Sequence, residues 1–298
     1  MRANDDLPAA FRVRDARAAG VGTGRLRGPS FQHPFYGMRS VGLDLDDHLQ
    51  LCRAAAVVLP PACFFSHHSA AVIHGLPLPW RESPREVEVS VFEPARPPEL
   101  HGVIAHQLRG NSQILRSVDG LRVLGVEDTW AQLSSSLSFD DLVVIGDLLI
   151  TGTHPYDGAP PPSSIELLEG AVKRHGRRRG VRPLRLALDA VRYGSLSPQE
   201  SRLRLALTAA GLPEPALNHP VTDSGRTLAM IDLAYPQHRV AVEYLGDHHR
   251  TERETYRADI RRELLVQLGW NVILVTAADD FHAVALRTRR ALLQSTTG

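Results

Sequence analysis

Two carboxylates stand where strands normally exclude them. Asp232 interrupts LAMI-D-LAY and Glu243 interrupts VAV-E-YL. Aspartate is disfavoured in strands, and a charge in a half-buried sheet is costly unless it finds a partner or a metal. Pro236 and Gln237 lie between the two runs. If they are the central residues of a two-residue turn, Tyr235 faces His238 and Asp232 faces Ala241. Ala241 and Glu243 share a strand face, so Asp232 and Glu243 become diagonal neighbours with Cβ atoms roughly 7–8 Å apart. Carboxylates so placed can converge on one Mg2+, which favours oxygen ligands and keeps several waters. Salt bridges to nearby arginines are the other way to neutralise them. A one-residue slip of register would put the two acids on opposite faces.

Glu200 is a third candidate. It follows Ser197 and Pro198 in SPQE, a capping box with proline at the first helical position, and Gly211 ends the helix. Capping and metal contact are both open to Glu200 and are compatible. His249 lies six residues beyond Glu243, past Gly246, and next to His248. It is a candidate general acid or base, or a group that orients water; paired histidines in a polar loop are also ordinary surface residues.

The basic residues are unevenly spread. Net charge is only +1, and Lys173 is the sole lysine. Lys173, Arg174, Arg177, Arg178, Arg179, Arg182, Arg185 and Arg192 nevertheless follow one another with only Asp189 against them. Arg250, Arg253, Arg257, Arg261 and Arg262 form a second group after Glu243. Such groups suit phosphate contacts; solvated helix faces are the alternative for each.

The elements that must position these residues follow from pattern and punctuation. Residues 1–40, rich in Gly, Arg and Pro, read as irregular. A helix is expected over about 44–59, stopped by Pro60-Pro61. A strand end and a short helix capped by Ser66 and closed at Gly75 come next, then strands over 86–92 and 103–108 and helices over 126–137 and 139–150. TGTHPYDGAPPPSS (151–164) is a turn-rich linker. Helices over 164–175 and 181–192 carry the first basic group. From 197 the order is helix, a short strand at ALNHPV, a turn at 223–225, the two acid-bearing strands, a basic helix over 251–268, the strand 270–276 and a closing helix over 277–293. The expected fold class is therefore α/β (α+β). A mixed domain spans 41–150, a linker and basic helical segment 151–196, and an α-β-β-β-α-β-α domain 197–298.

Composition bounds the function classes. A chain of 298 residues, 43% hydrophobic and 22% charged, falls in the ordinary globular range with room for two modest domains. No run of 18 apolar residues suggests a membrane span. The charged N-terminus lacks the apolar core of a signal peptide. Cys52 and Cys63, both in apolar surroundings and without CxxC spacing, read as buried thiols of a cytoplasmic protein.

Residues 197–293 resemble the PD-(D/E)XK nuclease superfamily, in particular the branch similar to very-short-patch-repair endonucleases. The likeness rests on the Glu200 helix, Ile231-Asp232, the E-Y-x-G-x-x-H run from Glu243 to His249, Tyr256, Asp259 and Arg262 on the next helix, and Gly269-Trp270. It implies a restriction-endonuclease-like domain that hydrolyses DNA phosphodiesters with Mg2+ or Mn2+. Asp232 and Glu243 would hold the metal, Glu200 would be a third ligand, and His249 would assist proton transfer. Arg250, Arg253, Arg257, Arg261 and Arg262 would grip the DNA backbone, with Arg177, Arg178 and Arg179 as further contacts. The superfamily's lysine falls two residues after the glutamate, where relatives in this branch commonly carry Asp; here it is Leu245. That departure opens the alternative of a catalytically inactive DNA-binding regulator. SHHSAAVIHGLPLPW (66–80) resembles a segment of AbiEi-type antitoxin-like proteins.

Overall fold

The computed structural model describes residues 7–82, 86–110, 112–152, 160–245 and 252–295; the side chains of 82 and 252–259 are outside the description. The chain is mixed α and β and forms two compact units. One comprises Met1–Leu142 and Ile165–Leu188, the other Val143–Ser164 and Asp189–Gly298. The division differs from the expected boundaries at 151 and 197, because the first unit reclaims the basic helices and the second reaches back to residue 143. No described helix is long and apolar enough to cross a membrane.

In the first unit, β1 (Ala10–Arg12) pairs antiparallel with β2 (Met38–Ser40), and α1 (Val13–Ala18) and α2 (Thr23–Leu26) lie between them in sequence. The expectation of an irregular 1–40 is thus corrected: Phe11, Ala16, Leu26 and Phe31 bury against one another and give this segment its own small core. Helix α3 (His48–Val58) starts at Asp47, whose carboxylate accepts from the amides of Leu49 at 2.9 Å and Gln50 at 3.4 Å. It stops at Leu59, forced into an extended conformation by the proline after it. Next come β3 (Phe64–Phe65), α4 (His67–Ile73), β4 (Val87–Phe92), β5 (Val103–Leu108), β6 (Leu115–Val118), β7 (Leu121–Leu124), α5 (Val126–Leu133), α6 (Phe139–Thr151), α7 (Ile165–His175) and α8 (Val181–Ala190). Five strands form one sheet in the order β5-β4-β3-β7-β6. Cys52 and Cys63 are buried there as free thiols. The β6–β7 hairpin was not among the expected elements, yet Asp119-Gly120, both with positive φ, is the dipeptide that a type I′ turn requires.

The second unit contains the C-terminal part of α6, then α9 (Pro198–Ala209), β8 (Ala216–Asp223), β9 (Arg226–Tyr235), β10 (Val240–Leu245), α10 (Glu252–Gln267), β11 (Asn271–Thr276) and α11 (Phe281–Ser295). From α9 onward this is the α-β-β-β-α-β-α order. The sheet runs β11-β10-β9-β8, with β10 and β11 parallel across α10 and the other pairs antiparallel. Apolar clusters form on both sides of it. Leu233, Val240, Val242 and Val275 pack with Leu203 and Leu207 of α9 and Val284 and Leu292 of α11. Ala234 and Ala241 pack with Leu265 and Trp270, near the end of α10.

One buried ionic network fixes α9. Asp147 of α6, fully buried, accepts from Arg204 Nη2 at 3.0 Å, Ser201 Oγ at 2.7 Å and the Arg192 amide at 2.7 Å. Arg204, also buried, donates through Nη1 to Glu214 at 2.8 Å and through Nη2 to the Ala190 carbonyl at 2.9 Å. Removing one member of such a pair strands the other charge out of water. Arg204→Ala should therefore lower stability by about 3–5 kcal/mol, measured by urea denaturation. Arg204→Lys should recover only part of the loss, since an ammonium cannot reproduce the guanidinium fork.

Candidate metal-binding carboxylate site

The connection between β9 and β10 is longer than a two-residue turn. Pro236–His238 form a 3-10 turn and Arg239 adopts a left-handed backbone (φ 49°), so Tyr235 pairs with Val240 rather than facing His238. The expected register is corrected by two residues. Because side chains alternate with period two, an even shift leaves both acids on one face and moves them from diagonal to directly opposed. The backbone ladder ends at Val242 and Leu233. At the next step the carboxylates take over its hydrogen bonds. The Asp232 amide donates to Glu243 Oε1 at 3.2 Å, and the Tyr244 amide donates to Asp232 Oδ2 at 2.9 Å.

Glu200 is a neighbour of this pair, although the three carboxylates do not bring one oxygen each within 4.8 Å of one another. Ser197 Oγ accepts from the Glu200 amide at 3.2 Å, and Glu200 Oε2 accepts from the Leu196 amide at 2.9 Å, so capping is a role the structure displays. Glu200 is also buried and close enough to Asp232 to feel its charge. Burial first, and the Asp232 charge second, raise the carboxyls of Glu200 and Glu243 each to about 7. Burial raises Asp232 as well, against the pull of Arg261 and the Tyr244 amide.

Arg261, an expected DNA contact, is partly exposed and also reaches the acids. Its guanidinium donates to Glu243 Oε2 and stands 3.9 Å from Asp232 Oδ1. Among the described residues, three ionised carboxylates against this one guanidinium would leave two negative charges at a largely buried site, which matches the charge of a divalent cation. Oxygen ligands alone are the donor set that Mg2+ and Mn2+ accept. Arg262 is exposed. Arg253 and Arg257 lie on α10 with side chains outside the description, and His249 and Arg250 lie outside the described residues. Arg177, Arg178 and Arg179 follow α7 and belong to the first unit.

Asn218 is a neighbour that pattern reading missed. It has a left-handed backbone (φ 42°) inside β8, between the pairs Leu217–Leu233 and His219–Ile231, so the register sets it opposite Asp232. Its side chain donates to the Gly194 carbonyl and reaches Glu200 Oε2 at 3.5 Å. The signal available was an Asn-His dipeptide inside an otherwise apolar strand, at a residue type that tolerates positive φ.

No family model matches this chain. Two uncharacterized proteins of Mycobacterium tuberculosis, MT2308 of strain CDC 1551 and Rv2248 of strain H37Rv, are each 32% identical to it over 113 residues. The match covers 38% of this chain and 42% of the length of those relatives. The crystal structure of the RV2827C protein from the same organism aligns with a TM-score of 0.41 and 19% identity, covering 74% of this chain and 84% of that one.

The raised carboxyls carry a pH signature. Between about 4.5 and about 7 the native state holds protons on Glu200 and Glu243 that the unfolded chain has released. The stability these two acids contribute must then fall as pH rises through this window. In EDTA, wild type should lose melting temperature relative to Glu243→Gln between pH 5 and pH 7.5. Mg2+ or Mn2+ should restore the melting temperature at pH 7.5 and do little at pH 5. A difference between wild type and Glu243→Gln that does not change across this interval would contradict the assignment.

Proposed function

We propose that the second unit is a metal-dependent nuclease that hydrolyses DNA phosphodiester bonds, with Asp232 and Glu243 holding Mg2+ or Mn2+ and Glu200 as a third ligand. The observation that carries this reading is the excess of acid among the described residues: Asp232 and Glu243 share one guanidinium, Glu200 lies close enough to feel Asp232, and all three keep raised proton affinities. A bound divalent ion would polarise the phosphate and lower the pKa of an attacking water. The chain's own groups supply the rest. Glu243 is held by the Asp232 amide and Asp232 by the Tyr244 amide, so their other oxygens, Oε2 and Oδ1, are pre-positioned on the side that Arg261 occupies. Glu200, with a carboxyl near 7, can hold or release a proton at neutral pH. His249 is the proposed proton-transfer partner, and Arg250, Arg253, Arg257 and Arg262 are the proposed contacts to the DNA backbone. The resemblance to very-short-patch-repair endonucleases supports the same reading, which places the protein with cytoplasmic DNA in repair or defence.

A second reading is favoured by two observations. Leu245 occupies the position where the superfamily keeps a lysine, and Arg261 sits on the acids where a metal would go. Under it the unit is a catalytically inactive, DNA-binding, antitoxin-like regulator whose internal cation replaces the metal.

The discriminating assay uses the purified chain with plasmid, mismatched duplex and single-stranded DNA in Mg2+ or Mn2+. Cleavage by the wild type that falls to background in Asp232→Ala and Glu243→Ala is the expected result. Equal cleavage by all three would defeat the catalytic assignment. Absence of cleavage with salt-dependent DNA retardation would select the regulator. Arg261→Gln should tighten Mn2+ binding on the nuclease reading, since it removes the competing positive charge.

A further inference from the structure

A second cluster of metal-ligating residues lies in the first unit, in a segment to which the nuclease reading gives no role. His67 opens α4, Glu88 is on β4 and His106 is on β5, and one ligand atom from each lies within 4.8 Å of the others. It is the one such group among the described residues. β4 and β5 pair in parallel with Glu88 beside Ile104 and Ser90 beside His106, so the sheet register itself brings Glu88 and His106 together. His67 is brought in by an unusual backbone. Its φ of 51° is left-handed, a conformation that a non-glycine residue holds only when its surroundings impose it. Its amide donates to Gln132 Oε1 at 3.0 Å, and its ring stacks on that of His106 with centroids 4.1 Å apart.

The partners of these three residues are the ones a metal site uses. Metal-binding histidines and carboxylates characteristically engage their other polar atoms in supporting hydrogen bonds. His67 Nδ1 contacts Ser66 Oγ at 3.0 Å, and Ser90 Oγ in turn donates to Ser66 Oγ at 2.8 Å, which leaves Nε2 of His67 as the coordinating atom. Glu88 Oε2 accepts from the His68 amide at 2.7 Å and contacts His68 Nδ1 at 2.8 Å, which leaves Oε1 facing His106 Nε2 at 3.8 Å. That His106 nitrogen is buried and makes no hydrogen bond. His67 and His106 also line a cavity of about 280 Å³ with Gln113, Asp128 and His175, which gives a bound ion an open side.

From this arrangement the geometry points to a site for one divalent transition-metal ion, held by His67, Glu88 and His106, with a further position open to the cavity. Two imidazoles and one carboxylate suit Zn2+ and its neighbours rather than Mg2+. Tetrahedral Zn2+ with bonds of about 2.0–2.1 Å needs its ligand atoms roughly 3.4 Å apart, a contraction that side-chain rotation of half-buried residues supplies.

The test is titration of EDTA-stripped full-length protein with Zn2+ at pH 7.5, followed by calorimetry, in an Asp232→Asn/Glu243→Gln background that disables the other carboxylates. One Zn2+ per chain is expected, with Glu88→Gln and His106→Gln each weakening it at least about tenfold. Binding as tight in a His67→Gln/His106→Gln variant, or no binding by the background chain, would overturn the site. If those variants fail to fold, Co2+ added to the unmutated chain decides: the ring resonances of His67 and His106 must show paramagnetic shifts, and their absence refutes the proposal. A polar network that merely joins α4 to the sheet would give that negative result.

Discussion

The guanidinium of Arg204 is buried, and that burial commits the chain to keeping Asp147, Glu214 and the Ala190 carbonyl around it. The commitment is structural as well as energetic. α9 meets α6 through Arg204 and also through Ser201, one helical turn earlier. Glu200, adjacent to Ser201, owes its position to that anchor. The register of β9 against β10 aligns Asp232 with Glu243, but only the clamp on α9 brings the third carboxylate within electrostatic reach. The candidate site therefore rests on one ion pair that takes no part in its chemistry.

Around the three acids the charges balance in a particular way. Where the ladder between β9 and β10 stops, the next amides need acceptors, and Asp232 and Glu243 supply them. The oxygens that remain repel one another in a site that water barely enters. Arg261 answers part of that repulsion from α10, and the raised proton affinities of Glu200 and Glu243 measure what it leaves unanswered. Protons and the guanidinium are thus rival occupants of one electrostatic well, and the proposed divalent cation would be a third.

Much of this was legible in the chain. The order of elements in the second unit followed from a capping box, two apolar runs broken by acids, and a basic helix before a buried strand. The pairing of Asp232 with Glu243 was legible for a reason of parity: the turn was misjudged by two residues, and an even error preserves the face. What eluded the pattern was longer-ranged. That Arg261 turns inward depends on where α10 docks, and an arginine in a basic run looks like any other. Asn218 acts through an unusual φ that composition does not announce. The β6–β7 hairpin was written plainly in Asp119-Gly120 and was overlooked because its strands are only four residues each. The grouping of His67 with Glu88 and His106 needs a parallel strand pair, whose register no local signal fixes.

The path of the chain has a consequence for how such a protein can be assembled and inherited. It leaves the first unit inside α6, returns at Ile165 and leaves again at Leu188. No single cut yields two self-sufficient pieces. A cassette beginning at residue 197 would carry Arg204 without Asp147, and so a buried cation without its counterion. During synthesis, residues 143–164 must wait until the end of the chain emerges before their unit can close. Recombination would have to move this unit as two segments, so its modularity is that of an interleaved pair rather than of beads on a string.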